Sequence, residues 1–229
     1  MRNILIIGGS SGIGKQLTLQ LSAENRVYAT FNKTVSADME NASFHHLDVG
    51  SPALDFDFIP EIVHGFVYCP GSILLKPFSK LSMSDFESDF QLNFLGMVKV
   101  LQQILPNLRR AEQASVVLFS SVAVQLGMSF HSSIAAAKGA VEGFTKAMAA
   151  EFSPKIRVNC IAPSLTETPL SEPLINTESK LMNMAAKHPL QRIGKPEDIS
   201  HMVEFLLSSK SSWITGQILH IDGGMGVIK

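Results

Sequence analysis

A serine and a lysine seventeen residues apart carry the side chains that this sequence offers most plainly for chemistry. Ser121 follows an apolar, strand-like run at residues 116–119, and Lys138 lies in an alanine- and glycine-rich segment with helical character. A hydroxyl and an ammonium group at one site can both donate hydrogen bonds to an oxygen of a substrate or cofactor. Ile134 precedes Lys138 by one helical turn on the same face, and its side chain cannot transfer a proton.

A glycine-rich stretch near the beginning predicts a site for nucleotide phosphates. Apolar residues 4–7 lead into the sequence GGSSGIG at residues 8–14, where a helical pattern starts. Glycines allow a sharp turn and let backbone N–H groups approach a pyrophosphate, which a helix N-terminus attracts. The spacing differs from G-x-G-x-x-G, so a plain tight turn is the alternative. The position between a strand and a helix favours phosphate binding.

The end of the second predicted strand bears on the choice of cofactor. An enzyme that prefers NAD commonly has Asp or Glu there to bind the ribose 2′-hydroxyl. Residues 28–34, YATFNKT, contain no acid. Asn32, Lys33 and Thr34 can instead hold a 2′-phosphate, which favours NADP(H) over NAD(H). The alternative for Lys33 is a solvated loop residue.

These segments need a scaffold, and the apolar periodicity predicts one. Short apolar runs alternate with longer amphipathic segments, as in βαβ units with a parallel sheet. The predicted strands are residues 3–7, 26–31, 44–47, 65–69, 115–120, 157–161 and 217–221, and the predicted helices are residues 12–23, 84–109, 132–152, 178–187 and 196–208. Residues 1–229 are therefore expected to form a single α/β domain, a doubly wound parallel sheet of about seven strands with helices on both faces. Pro52 and Pro60 interrupt the short third crossover, which is expected to be abbreviated.

Composition and charge argue against several classes of function. The 229 residues are 17% charged, and their net charge of −1 gives no footprint for nucleic acid or an anionic membrane. The apolar run at residues 4–7 is too short for a signal segment or a membrane span. Cys69 and Cys160 lie in apolar segments without metal-ligand spacing, as expected of buried thiols in a reducing compartment. We therefore expect a soluble cytoplasmic protein with no metal, no nucleic-acid partner and no membrane association.

Several motifs, taken in order, resemble the short-chain dehydrogenase/reductase family, and in particular its 3-oxoacyl-[acyl-carrier-protein] reductases. This resemblance implies a Rossmann-type fold and runs from Ile4 to about Gly224. The matching positions are Gly8, Gly12, Gly14, Asp48-Val49, Asn93, Ser121, Lys138, RVNCIAP at residues 157–163, PLQRIGKPEDI at 189–199, TGQ at 215–217 and DGG at 222–224.

The resemblance also implies a mechanism. In the family a serine polarises the substrate carbonyl, and a tyrosine exchanges the proton while hydride moves to or from nicotinamide. A lysine holds the ribose and lowers the pKa of the tyrosine, and an asparagine orders a water. Ser121, Asn93 and Lys138 match three of these roles, whereas the tyrosine position is Ile134. The implied cofactor-binding residues are Gly8, Ser10, Ser11, Gly12, Ile13, Gly14, Asn32, Lys33, Asp48, Val49, Gly71, Lys138, Pro163 and Thr168.

Other positions near the expected site depart from the family pattern. The sequence YCPG at residues 68–71 replaces the usual Asn-Asn-Ala-Gly. Ile7 replaces a threonine, and Pro163-Ser164 replaces the usual Pro-Gly after the sixth strand. The sequence therefore supports binding of the cofactor better than it supports catalysis.

A substitute proton donor can be sought among the remaining residues. His131 lies seven residues before Lys138, about two helical turns, and a histidine can exchange protons near neutral pH. The alternative for His131 is an exposed residue in the turn before the helix. Tyr68, Lys138 itself, or a water ordered by Asn93 are further candidates.

Two functions remain open at this point. One is an NADP(H)-dependent oxidoreductase that reduces a carbonyl or enoyl group of a small-molecule or acyl-thioester substrate, such as 3-oxoacyl-ACP. The other is a catalytically silent nucleotide-binding subunit that scaffolds or regulates a partner. Small residues along 132–152 predict, by analogy with the family, a homodimer or homotetramer, and a hetero-oligomer is also possible. Residues 165–186 lie where the family has its substrate lid, and their candidate pocket residues are Leu170, Leu174, Leu181, Met182 and Met184.

Overall fold

A computed structural model describes residues 1–228 as a parallel sheet of seven strands. The strands are β1 (Arg2–Ile7), β2 (Asn25–Phe31), β3 (Ala42–His46), β4 (Gly65–Tyr68), β5 (Ala114–Phe119), β6 (Ile156–Pro163) and β7 (Ile218–Ile221). They lie in the order β3-β2-β1-β4-β5-β6-β7, and every neighbouring pair is parallel. The strand order reverses between β1 and β4, so the crevice at their carboxyl ends is the expected ligand site. The predicted sheet is confirmed.

Helices cover both faces of the sheet. They are α1 (Gly12–Leu21), α2 (Met83–Phe90), α3 (Gly96–Arg109), α4 (Val122–Leu126), α5 (Ser132–Phe152), α6 (Glu172–Ile175), α7 (Glu178–Ala185) and α8 (Pro196–Leu207). Helices α3 and α5 contribute Ile104, Leu108 and Val141 to one core. Helices α1 and α8 contribute Leu17 and Val203 to the other. Because both faces are covered, β5 is buried along its whole length.

The structure departs from the sequence prediction in the long helix expected at residues 84–109. A π-helical segment, Gln91–Leu95, interrupts it and separates α2 from α3. Such segments widen the helix by one residue and are frequent at functional sites. The segment contains Asn93, so the interruption falls on a predicted site residue. Short helices α4 and α6 were also missed, because four or five residues are too few for a periodic pattern.

The connection between β3 and β4 is abbreviated, as predicted. Among the described residues, 47–64 form turns and bends without a helix or strand. His45 and His46 at the end of β3 lie apart from one another: His45 stacks on Phe58 with ring centroids 4.1 Å apart, and His46 meets Phe31 edge-on. Their roles are therefore in packing.

Candidate active site

A cleft of about 480 Å³ opens at the carboxyl ends of β1, β2 and β4. Gly8 and Gly14 show why its wall needs glycine. A Cβ atom at Gly14 would lie 2.1 Å from the carbonyl oxygen of Gly8, and Gly8 itself has a φ of +76°. Backbone and the N-terminus of α1 thus form the surface that the sequence predicted for a pyrophosphate. We call this the nucleotide cleft; its predicted lining residues are Gly8, Ser10, Ser11, Gly12, Ile13, Gly14, Asn32, Lys33, Val49, Gly71 and Thr168.

The far end of the nucleotide cleft is polar and without a carboxylate. Asn32, Lys33 and Thr34 line it directly after β2. Asp48, predicted to bind cofactor, is exposed and does not line the cleft; its Oδ1 accepts a hydrogen bond of 2.9 Å from the N–H of Gly50. This contact holds the carboxylate within its own turn, and cofactor binding by Asp48 stays a prediction.

A second, more apolar cavity of about 540 Å³ adjoins the nucleotide cleft. The two share five lining residues, which are Ile13, Cys69, Gly71, Thr168 and Leu170. Beyond these shared residues, four more predicted catalytic or cofactor-binding residues line the apolar cavity, namely Ser121, His131, Lys138 and Pro163. Ile134 lines it as well and is only 6% exposed. Folding therefore brings the Ser121 and Lys138 side chains to one chamber next to the cleft.

Ser121 stands between the end of β5 and the start of α4. Its Oγ accepts a hydrogen bond of 3.2 Å from the backbone N–H of Ala123 and so caps α4. The hydroxyl hydrogen is left to donate to a ligand in the apolar cavity. This geometry suits a donor aimed at a substrate oxygen.

Lys138 reaches the apolar cavity from α5. Its Nζ donates a hydrogen bond of 3.1 Å to the carbonyl oxygen of Phe119, and the residue is 8% exposed. Burial lowers the pKa of Lys138 to about 8, and the nearby Cys160, Cys69 and Asp89 offset that effect only in part. The ammonium is thus fixed beside both chambers.

Asn93 lies behind the cavity wall and lines neither chamber. A Cβ atom at Gly71 would lie 3.4 Å from Asn93 Oδ1 and 3.7 Å from Lys138 Nζ, so both groups meet around that glycine. Asn93 Nδ2 donates to Ser72 Oγ at 2.8 Å and to the Asp89 carbonyl oxygen at 2.9 Å. Within residues 1–228, the Oδ1 of Asn93 is the buried side-chain polar atom that lacks a hydrogen-bond partner. It can therefore accept a hydrogen bond beside Gly71 from a donor on a bound group.

The two other proton-donor candidates differ in position. His131 immediately precedes α5, its Nδ1 lies 2.7 Å from the Ser129 carbonyl oxygen, and it lines the apolar cavity. Tyr68 does not line the cavity, and its hydroxyl donates to the Leu92 carbonyl oxygen at 2.7 Å. Burial raises the pKa of Tyr68 further above its ordinary value. The structure therefore does not support Tyr68 as the acid.

The lid segment is built from α6 and α7. Leu170, Leu174 and Met184 line the apolar cavity, as predicted. Leu181 and Met182 are exposed and line neither cavity, so the prediction for them is wrong. They lie on the outward face of α7, because a helix turns successive side chains to different sides.

Some classes of site are absent from the part of the chain that the structure describes. No group of three or more His, Cys, Asp or Glu residues there is arranged to hold a metal ion. Within residues 1–228 no helix combines the length and apolarity that crossing a bilayer requires. Cys69 and Cys160 are both free thiols, and burial raises the pKa of each to about 12.

Comparison with known proteins identifies the family. Residues 32–226 match the model of the family described as enoyl-(acyl carrier protein) reductase. The chain is 30% identical to the 3-oxoacyl-[acyl-carrier-protein] reductase FabG of Thermotoga maritima, with 96% of each chain covered. The chain belongs to the short-chain dehydrogenase/reductase family. L-xylulose reductase of Bos taurus is a further relative, 28% identical over 97% of this chain and 96% of its own.

Solved structures of other proteins share the fold. The ligand-free aldohexose dehydrogenase of Thermoplasma acidophilum gives a TM-score of 0.89 at 24% identity, covering 100% of this chain and 95% of its own. The structure of ElxO with NADP bound gives a TM-score of 0.86 at 26% identity, with 98% of each chain covered. The seven-stranded sheet with flanking helices is thus that of the family.

Sequence reasoning missed a buried carboxylate in this short-chain dehydrogenase/reductase. Asp89 is 3% exposed, and its two oxygens accept hydrogen bonds of 2.6 Å from Ser72 and from Ser133. Ser133 immediately precedes Ile134, and Ser72 lines the apolar cavity. An aspartate within an amphipathic helical pattern looks like an exposed residue, so no local signal marked it.

A serine–histidine contact was missed for a similar reason. Ser164 Oγ lies 2.8 Å from His188 Nε2, and both residues line the apolar cavity. The sequence marked Ser164 as a departure from the family's Pro-Gly. Nothing in the spacing connected it with His188, which follows twenty-four residues later.

Proposed function

We propose that the protein is an NADP(H)-dependent oxidoreductase that reduces a carbonyl or enoyl group. The observation that carries the proposal is the shared chamber of Ser121 and Lys138. Both side chains line an apolar cavity that has common walls with a glycine-built nucleotide cleft. A hydroxyl donor, a buried ammonium and a nucleotide site within one crevice are the parts that carbonyl reduction needs.

The residues around the nucleotide cleft support a bound NADP(H). The glycine loop and the N-terminus of α1 would hold the pyrophosphate, and Lys138 would hold the ribose next to nicotinamide. Asn32, Lys33 and Thr34 would bind the 2′-phosphate, since no carboxylate lines that end of the cleft. When bound, the cofactor supplies the hydride. A relative of this fold has been solved with NADP bound, and this supports the same choice here.

The apolar cavity supports an acyl thioester, such as 3-oxoacyl-ACP, as the substrate. Leu170, Leu174 and Met184 give its lid side an apolar wall, and methionine adapts to varied shapes. Relatives named 3-oxoacyl-[acyl-carrier-protein] reductase and the matching enoyl-(acyl carrier protein) reductase family support this substrate class. Ser121 would donate a hydrogen bond to the carbonyl oxygen and stabilise the negative charge that develops there.

Reduction also needs a proton donor, and this chain must provide one other than the family's tyrosine. The resemblance places Ile134 at the position of the family's tyrosine. Its aliphatic side chain lines the cavity where a phenol would act. His131 lines the same cavity and is one candidate acid. Loss of one acid typically lowers the rate about 10²–10⁴-fold, so positioning and hydride transfer still leave measurable turnover.

Ile134 also favours a second candidate, a catalytically silent nucleotide-binding subunit that scaffolds or regulates a partner. In that case the nucleotide cleft would remain functional while the apolar cavity would not. The exposed Gly143 on α5 offers a surface for close helix contact, because a Cβ atom there would meet nothing within 4 Å. A homodimer or homotetramer is expected for the enzyme and a hetero-oligomer for the silent subunit.

Single-turnover oxidation of protein-bound NADPH separates the two candidates. The loaded protein is mixed with a short 3-oxoacyl thioester or an enoyl thioester, and NADPH fluorescence reports both binding and oxidation. Oxidation that depends on thioester supports the reductase, and Ser121→Ala should slow it about 100-fold without weakening NADPH binding. Tight NADPH binding without oxidation by any carbonyl or enoyl compound supports the silent subunit.

A further inference from the structure

A hydroxyl–imidazole pair faces the apolar cavity from the wall formed after β6 and α7. Ser164 directly follows β6, and its Oγ lies 2.8 Å from Nε2 of His188. His188 is 3% exposed and follows α7. Both residues line the cavity that also contains Ser121 and Lys138. A second group able to move a proton is therefore present in the proposed active site.

The partner of the other ring nitrogen sets the direction of these hydrogen bonds. His188 Nδ1 lies 2.9 Å from the carbonyl oxygen of Met184. A carbonyl oxygen only accepts, so Nδ1 carries a hydrogen. The neutral ring then accepts the Ser164 proton at Nε2, whereas the protonated ring donates from Nε2 to Ser164. In the second state the Ser164 hydrogen can reach a ligand in the cavity or the Met225 sulfur, 3.3 Å away.

The surroundings of His188 suit a ring that alternates between these states. Met184 lies in the last turn of α7, where carbonyl dipoles stabilise a cation. His188 also lines a smaller cavity of about 170 Å³ together with Arg192, Asp198 and Asp222. Arg192 and Asp198 form an ion pair of 2.6 Å, and Lys187 lines the apolar cavity. The apolar cavity is also lined by Lys138 and His131, which complete the charged and titratable groups that line the two cavities with His188.

Of the two aspartates that line the smaller cavity, Asp198 is paired with Arg192, whereas Asp222 has no charged partner. It is buried, and its two oxygens accept the N–H groups of Gly224 and Gly226 at 2.9 Å and 2.8 Å. Asp222 lines the smaller cavity together with His188 and does not line the apolar cavity. A proton arriving through that cavity would therefore reach the ring without crossing the apolar chamber.

We infer that Ser164 and His188 form a proton relay that supplies the proton otherwise expected from a tyrosine at position 134. The inference rests on the proposed reductase function. As hydride reaches the carbonyl carbon, the C=O π bond breaks and the substrate oxygen takes the proton of Ser164. Ser164 Oγ takes the Nε2 proton of His188, and the imidazolium becomes neutral. Solvent then returns a proton to the ring.

Ser164→Ala and His188→Gln test the relay in the NADPH-loaded enzyme. Each variant should slow single-turnover oxidation about 100-fold or more with NADPH affinity unchanged. The double variant should be no slower than either single variant, because both residues act in one path. Ser164→Thr, which keeps the hydroxyl, should recover most of the rate. His201→Gln, on the exposed face of α8, is the matched control.

The pH profile separates a relay from a purely structural contact. The wild-type rate should fall as the pH is raised, since only the imidazolium carries the second proton. That limb should be missing in His188→Gln. Normal turnover in both single variants, or an unchanged pH limb, overturns the relay alone. A wild-type enzyme that oxidises no NADPH overturns the relay together with the proposed function.

A measurement without substrate checks the geometry. In ¹⁵N-labelled protein, the neutral His188 ring should carry its hydrogen on Nδ1, and Ser164→Ala should shift the Nε2 resonance. A hydrogen on Nε2 of the neutral ring, or no response to Ser164→Ala, contradicts the relay whatever the turnover.

Discussion

The ammonium group of Lys138 lies 3.1 Å from the carbonyl oxygen of Phe119, the last residue of strand β5. This contact ties α5 to the sheet at the point where the nucleotide cleft and the apolar cavity meet. Burial of the ammonium costs free energy, and this cost is the reason that the pKa of Lys138 falls to about 8. The site therefore holds a charge that destabilises the fold at neutral pH.

That cost gives a pH dependence of stability. The unfolded chain, with an ordinary lysine pKa of 10.5, binds more protons than the folded protein with its pKa of about 8. The contribution of Lys138 to the free energy of unfolding therefore rises as the pH increases from about 8 toward 10.5. Urea unfolding at pH 7.5 and pH 9 should show this rise in the wild type and a smaller one in Lys138→Met.

Lys146→Met is the control for that measurement, since Lys146 lies exposed on the same helix. It should keep the pH dependence of the wild type. Lys138 lowers the pKa of both buried thiols, which is nevertheless about 12 in the wild type and higher without the lysine, so in all three folded proteins the thiols stay protonated at pH 9 and do not affect the comparison. Equal pH dependence in wild type and Lys138→Met would falsify the lowered pKa.

Asp89→Ala should destabilise the protein by roughly 3 kcal/mol, because hydrogen bonds to a charged group contribute about 1.5–3 kcal/mol each. The substitution leaves the hydroxyls of Ser72 and Ser133 without their 2.6 Å acceptor. The free energy of unfolding from urea titration measures the loss. Asp57→Ala, at an exposed carboxylate, should change stability by less than about 0.5 kcal/mol. Equal effects of the two substitutions would mean that the Asp89 contacts contribute little.

Lys33→Ala should weaken NADPH binding about tenfold and leave NADH binding unchanged. The reason is that Lys33 lines the end of the nucleotide cleft proposed for the 2′-phosphate, a group that NADPH has and NADH lacks. Titration of the intrinsic fluorescence of each cofactor gives both dissociation constants. Lys80 lines neither cavity, so the control substitution Lys80→Ala should change neither dissociation constant. An equal loss for NADH and NADPH would assign Lys33 to general electrostatic attraction.

Ile134→Tyr should raise the single-turnover rate, by up to about 100-fold, because a phenol would enter the apolar cavity beside Lys138. Ile134→Phe has a similar volume without the hydroxyl and is the matched control. With tyrosine at position 134, a further His188→Gln substitution should cost little, since the relay is bypassed. If Phe and Tyr at position 134 give the same rate, proton supply does not limit turnover.

Much of the fold could be predicted from the sequence because it depends on short-range patterns. Apolar runs and the turns between them located all seven strands within a few residues. The glycine loop was predictable for a steric reason: a Cβ atom at Gly14 would collide with the carbonyl oxygen of Gly8. The π-helical segment at Asn93 was not, since its apolar pattern resembles that of a continuous helix.

By itself the sequence determined the parallel sheet, the nucleotide loop and the approach of Ser121 to Lys138, because each follows from local periodicity or from an ordered set of motifs. Only the tertiary structure decided where individual side chains point. It paired the Asp48 carboxylate with the N–H of Gly50, fixed the Tyr68 hydroxyl on the carbonyl oxygen of Leu92, and joined Ser164 to His188. Such contacts depend on rotamers and on packing between distant segments. No spacing along the chain encodes them.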